Sequence, residues 1–107
     1  MSVFDEREKT AERKFELDQE LKFKMVARRN KLLGQWAASQ LGLAGAAAER
    51  YALEIVDEEV LRHGDAAVIG RIAADFLANG FPITAETIRR HLELFAVEAR
   101  REVMQGA

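Results

Sequence analysis

Residues 21–45 read LKFKMVARRNKLLGQWAASQLGLAG. At 100° per residue, Met25, Val26, Leu32, Leu33, Trp36 and Ala37 gather on one broad face, with Lys24, Arg28 and Lys31 opposite. That spacing predicts an amphipathic helix. Gly42 suits its C-terminal cap and Gly45 the turn that follows, so the helix ends in the GLAG connection. Gly34 lies inside the helix, where glycine costs about 1 kcal/mol relative to alanine. A close approach of another helix is the first explanation, and a hinge the second.

Downstream the same period continues. A second helix is expected over roughly 46–62, with Ala48, Tyr51, Ala52, Ile55 and Val56 inside. His63-Gly64-Asp65 reads as a short turn, with Asp65 placed to cap a third helix by accepting a backbone N–H. The apolar arc of that helix is Val68, Ile69, Ile72, Ala73, Phe76 and Leu77, and Asn79-Gly80 ends it. Gly70 interrupts it, and close packing is again expected. Phe81-Pro82-Ile83-Thr84 is the clearest boundary in the chain: Thr84 is an N-cap, and Ile83 can staple onto Ile88. Ile88, Leu92, Phe95, Ala99 and Val103 then share one face. Connections this short make successive helices antiparallel neighbours, so the expected fold class is all-α, a small four-helix bundle. No run alternates apolar and polar residues as a strand would.

Upstream the pattern changes. Residues 1–20, MSVFDEREKTAERKFELDQE, hold seven acids and four bases, and only Val3, Phe4, Phe15 and Leu17 are strongly apolar. As a helix this stretch offers one thin stripe of Phe4, Ala11 and Phe15 among charges such as Asp5/Lys9 and Lys14/Asp18. Such pairs contribute only about 0.2–0.5 kcal/mol each. Ordering the backbone costs roughly 1–2 kcal/mol per residue. The expectation is a mobile arm, nascent helix or disordered in the free protein, over residues 1–19, attached to a four-helix domain over 20–107.

Charge separates these parts further. Residues 21–31 carry five bases and no acid, whereas residues 32–107 carry eleven acids and seven arginines, within a chain whose net charge is −2. The stretch Lys22, Lys24, Arg28, Arg29, Lys31 forms a basic collar that suits an acidic protein surface. Nucleic-acid binding through Lys22–Lys31 is the alternative, disfavoured because Phe23 alone makes no stacking platform and the chain is acidic overall.

Catalytic parts are scarce. With no cysteine, thiolate chemistry, disulfides and Cys-based zinc sites are excluded. The histidines are His63 and His91 and the serines Ser2 and Ser39, without a partner constellation for nucleophilic catalysis. Glu59 and His63, one turn apart, make a metal pair only with matching ligands elsewhere, which the sequence lacks. The GLAG segment precedes a helix N-terminus but lacks the lysine and hydroxyl of a phosphate loop. Arg29 falls within the apolar arc of its helix, and a buried Arg29–Glu59 contact would satisfy both charges. No apolar run reaches membrane-span length, and the N-terminus is too charged for a secretory signal, so a cytoplasmic, unprocessed protein is expected.

FDEREKTAERKFELDQELKFK at 4–24, ARRNKLLGQWAA at 27–38 and GDAAVIGRIAADF at 64–76 resemble the zeta subunit family, natural inhibitors of the F-type ATP synthase of alpha-proteobacteria. The resemblance extends through the Tyr51 helix and the cap at Thr84, over the whole chain. It implies a non-enzymatic inhibitor of ATP hydrolysis whose N-terminal arm becomes helical at a catalytic interface of the synthase head, formed by alpha, beta and gamma subunits. Carried onto this sequence, the inhibitory element runs from Ser2 to about Asp18 and includes Phe4, Asp5, Glu6, Arg7, Glu8, Arg13, Lys14 and Phe15. Lys22, Lys24, Arg28 and Lys31 are the secondary docking residues. It further implies a location on the cytoplasmic face of the inner membrane, reached through the synthase without membrane insertion. No cofactor or metal is expected, although adenine-nucleotide contact with the helical core is raised by the resemblance. A helical adaptor for a different partner is the competing reading.

Overall fold

The computed structural model describes residues 3–62 and 64–106, with side chains from residue 9 onward within the first helix. The described residues form four helices, α1 (Val3–Gln40), α2 (Gly45–Arg62), α3 (Asp65–Ala78) and α4 (Ala85–Gly106), and no strand. α1 packs against both α2 and α4, and α3 closes the ring against those two. The molecule measures 65 × 24 × 21 Å. Its long axis is set by the 38 residues of α1, which at 1.5 Å each span roughly 57 Å.

The helix ends follow from local chemistry. Leu43 donates its N–H to the Ala38 carbonyl at 2.9 Å and Gly42 to Ser39 at 3.1 Å. Phe81 repeats the pattern onto Phe76 at 2.9 Å, and Gly80 onto Leu77 at 3.1 Å. In both turns the glycine has a left-handed φ, 79° at Gly42 and 76° at Gly80. This double hydrogen bond absorbs carbonyls the helix leaves unpaired, and a side chain at the glycine would strain it. The Phe81 ring then sits 6.3 Å from Phe76. At α4 the Thr84 hydroxyl accepts the Thr87 N–H at 3.3 Å, as its sequence position predicted. Ile83 packs against the core that contains fully buried Ile88.

Asp65 departs from its expected role. It is the first residue of α3, no side chain among the described residues caps that helix, and its carboxylate turns to Arg29 on α1. An ion pair with a buried guanidinium outweighs a neutral N–H as partner, because charge-assisted hydrogen bonds are about twice as strong.

The core comprises Leu33, Ala37, Ala38, Tyr51, Ile55, Val68, Ile69, Ile72, Phe76, Ile88 and Leu92. Burying each large apolar side chain stabilises by about 1.5–3 kcal/mol. Trp36 joins three helices: its ring meets Phe76 of α3 edge-on at 5.7 Å and stacks on His91 of α4 at 3.9 Å. His91 is held in place by Nδ1, which donates to the Thr87 carbonyl at 2.9 Å. Leu77, assigned to the inner arc of α3 by its spacing, is instead 80% exposed. It sits on the edge of the arc, and α3 buries only the narrower stripe through Val68, Ile69, Ile72 and Phe76.

The two interrupting glycines part company. A Cβ on Gly34 would lie 2.7 Å from the Ala52 Cα, so α1 and α2 approach there as the sequence suggested. Gly70 is exposed with nothing within 4 Å of a Cβ, so the close packing expected there is absent. It faces solvent on the outer side of α3.

Candidate partner-binding surfaces

Beyond Leu21 toward the N-terminus, α1 leaves the bundle. Every residue from Lys9 to Glu20 is exposed, including Arg13 and Lys14, while Leu21 is half-buried. Phe15 is 64% exposed, and Leu17 is exposed 200° round the helix from it. The side chains of Phe4, Asp5, Glu6, Arg7 and Glu8 lie outside the described residues. Helical backbone runs unbroken from Val3 through Leu21, so what distinguishes the N-terminal stretch is solvent exposure, not a break in α1.

The basic collar is divided by the fold. Lys22 and Lys24 are exposed and make no ion pair among the described residues. Arg28 is instead clamped to Glu102 of α4 through both carboxylate oxygens, Nη2 to Oε1 at 3.3 Å. That guanidinium holds the Glu102 carboxyl below its usual range. Lys31 meets Glu49 of α2 at 3.5 Å. Two of the four expected docking cations thus fasten α1 to its neighbours, which the sequence concealed because Glu49 and Glu102 are remote from them in the chain.

Arg29 is 8% exposed and Asn30 fully buried. Arg29 Nη2 donates to Asp65 Oδ1 at 2.9 Å and to Glu59 Oε2 at 3.3 Å, while its Nε donates to the Asn30 side-chain oxygen at 3.0 Å. Asn30 Nδ2 in turn donates to Glu59 Oε2 at 3.3 Å. The Arg29–Glu59 contact read from the sequence is present, and Asp65 is the partner the sequence did not supply. Burial raises the Glu59 pKa above its ordinary value, opposed by Arg29 and reinforced by Asp65. His63, the other half of the Glu59/His63 pair, lies outside the described residues. Among the described residues no group of three or more His, Cys, Asp or Glu is placed to hold a metal ion.

Two further features were missed. Tyr51 of α2 donates its hydroxyl to Asp75 of α3 at 2.8 Å, and Arg71 donates to the same carboxylate at 2.9 Å and to Glu54 at 3.1 Å. Burial and Asp75 together push the Tyr51 hydroxyl pKa up. This clip locks α2 to α3. Secondly, above the Arg29 cluster, α1 and α2 part to leave an apolar cleft of about 450 Å³, walled by Phe23, Val26, Ala27, Val56 and Val60 with Asn30 and Glu59 at its floor. In the sequence Phe23 reads only as a lone aromatic among bases. The i, i+3, i+4 spacing of Phe23, Val26 and Ala27 with Val56 and Val60 was the available signal.

No described helix is long and apolar enough to cross a membrane. Comparison with curated proteins yields no match. The family model described as ATPase inhibitor subunit zeta matches residues 1–102. With nearly the whole chain matched, and an exposed helical extension on an all-helical body, the protein belongs to the ATPase inhibitor subunit zeta family, regulatory proteins of the ATP synthase rather than enzymes.

Proposed function

We propose that this protein inhibits ATP hydrolysis by the F-type synthase through its N-terminal arm, residues 2–18, which docks as a helix at a catalytic interface of the enzyme head. The supporting observation is the exposure of every residue from Lys9 to Glu20 on a helix that projects beyond the bundle. Phe15 is mostly exposed among the described residues, and a groove in a partner would remove it from water. Alternating acids and bases around the helix suit a polar rim, where they fix register more than affinity.

In this reading residues 1–19 act as the arm and residues 20–107 as the body that limits how far the arm enters. Phe4 and Phe15 are the anchors, and Asp5, Glu6, Arg7, Glu8, Arg13 and Lys14 contact the rim formed by alpha, beta and gamma subunits. Lys22 and Lys24 orient the body on an acidic surface. The protein then resides on the cytoplasmic face of the inner membrane by virtue of its partner. Nucleic-acid binding draws little support, because Arg28, Arg29 and Lys31 are already paired with Glu102, Glu59, Asp65 and Glu49. The deciding experiment compares the full chain with one lacking residues 2–18 in an ATP-hydrolysis assay on the purified synthase head. The shortened chain should fold and fail to inhibit; equal inhibition by both would overturn the proposal.

A further inference from the structure

The Arg29 cluster and the cleft above it belong together. A single guanidinium serves two carboxylates, so among the described residues Arg29, Glu59 and Asp65 carry a net negative charge. Glu59 is the member of the cluster that also lines the cleft. The cleft walls are aliphatic or aromatic, and two of them, Phe23 and Val60, remain more than half exposed. A cleft of a few hundred cubic ångströms with apolar walls and few convergent polar groups is the usual form of a binding site.

The charge selects the occupant. An anionic group would meet Glu59 and be repelled. A purely apolar group would strip water from Glu59 without replacing its hydrogen bonds. A long aliphatic stem ending in a cation satisfies both walls and floor, since lysine and arginine lay their methylenes on apolar surface and keep the charged tip on a polar partner. Lys22 and Lys24, on either side of Phe23 and exposed, favour acidic neighbours around that cation.

We infer that the α1–α2 cleft receives a lysine or arginine side chain of the synthase head, its stem between Phe23 and Val60 and its charge on Glu59. This contact is separate from the arm and rests on the proposed function only in the choice of partner. It gives the body its own hold on the enzyme.

The test has two arms. Amide NMR of the labelled full chain is followed during addition of n-butylammonium, with 1-butanol of equal stem length as control. Saturable shifts confined to residues near 23–30 and 56–62 are expected from the amine, at least tenfold weaker from the alcohol, and lost in Glu59→Gln. Equal response to both, or to neither, overturns the inference. In the second arm, affinity for the purified synthase head is measured for Glu59→Gln and Phe23→Ala, each checked by thermal melting. Each should bind at least fivefold more weakly, and Phe23→Ala, at an exposed position, should fold as the parent does. Parental affinity in Phe23→Ala overturns the inference whatever the arm does. Failure of the arm reading shows separately, as a Phe4→Ala/Phe15→Ala chain that still blocks ATP hydrolysis.

Discussion

Gly34 of α1 and Ala52 of α2 meet so closely that a Cβ on the glycine would stand 2.7 Å from the alanine Cα and 3.2 Å from the Ile55 Cβ. Backbone, not a flexible side-chain tip, is the obstacle, so the helices must separate to admit even a methyl group. Gly34→Ala should therefore lower stability by about 1–3 kcal/mol despite its better helix propensity. Gly70→Ala, on the open face of α3, should raise stability by about 0.5–1 kcal/mol. Urea denaturation of the two variants checks the pair, and a stabilised Gly34→Ala would refute the close approach.

Removing Arg29 leaves Glu59 and Asp65 facing each other without a counter-charge among the described residues. Arg29→Met should destabilise by about 3 kcal/mol, the usual consequence of breaking one side of a buried ion pair. Thermal melts at neutral pH give the value. A loss below about 1 kcal/mol would mean that the cluster holds little of the fold together.

Glu59 makes stability depend on pH in a defined direction. Its folded-state pKa lies above the ordinary 4.5, chiefly through burial. A carboxyl raised in this way binds its proton more tightly in the folded state. Its favourable contribution is complete below pH 4.5 and disappears as pH climbs through the folded-state value. The parent should lose stability relative to Glu59→Gln as pH rises across that window. Denaturation curves for both chains at a series of pH values decide it, and a relative gain with rising pH would reverse the assignment. Glu102, held low by Arg28, acts oppositely, its contribution fading as pH falls through its lowered value.

Phe15 separates function from folding. Phe15→Ala should leave the melting temperature unchanged, because an exposed site far from the bundle alters stability by no more than about 0.5 kcal/mol. If the ring is an anchor, the concentration needed for half-inhibition of ATP hydrolysis should rise roughly 30-fold, equivalent to about 2 kcal/mol. An unchanged inhibition curve would remove Phe15 from the interface.

Phe76 is the opposite case. Fully buried on α3 and in edge contact with both Trp36 and Phe81, it should cost about 3–5 kcal/mol when replaced by alanine. Near-ultraviolet dichroism of Trp36 reports the same loss directly.

By itself the sequence determined the four helices, their caps at Gly42, Gly80 and Thr84, most of the core, and the exposure of Phe15. Helical period and turn chemistry act over a few residues, so a linear reading captures them. Tertiary structure alone decided which charges are free. Arg28, Lys31 and Asp65 looked like a docking collar and a helix cap until the fold brought Glu102, Glu49 and Arg29 within reach. It decided as well that Gly34 is crowded while Gly70 is open, and that Phe23 and Val60 wall one cleft. Those outcomes depend on the angle and separation at which whole helices meet, which no local spacing encodes.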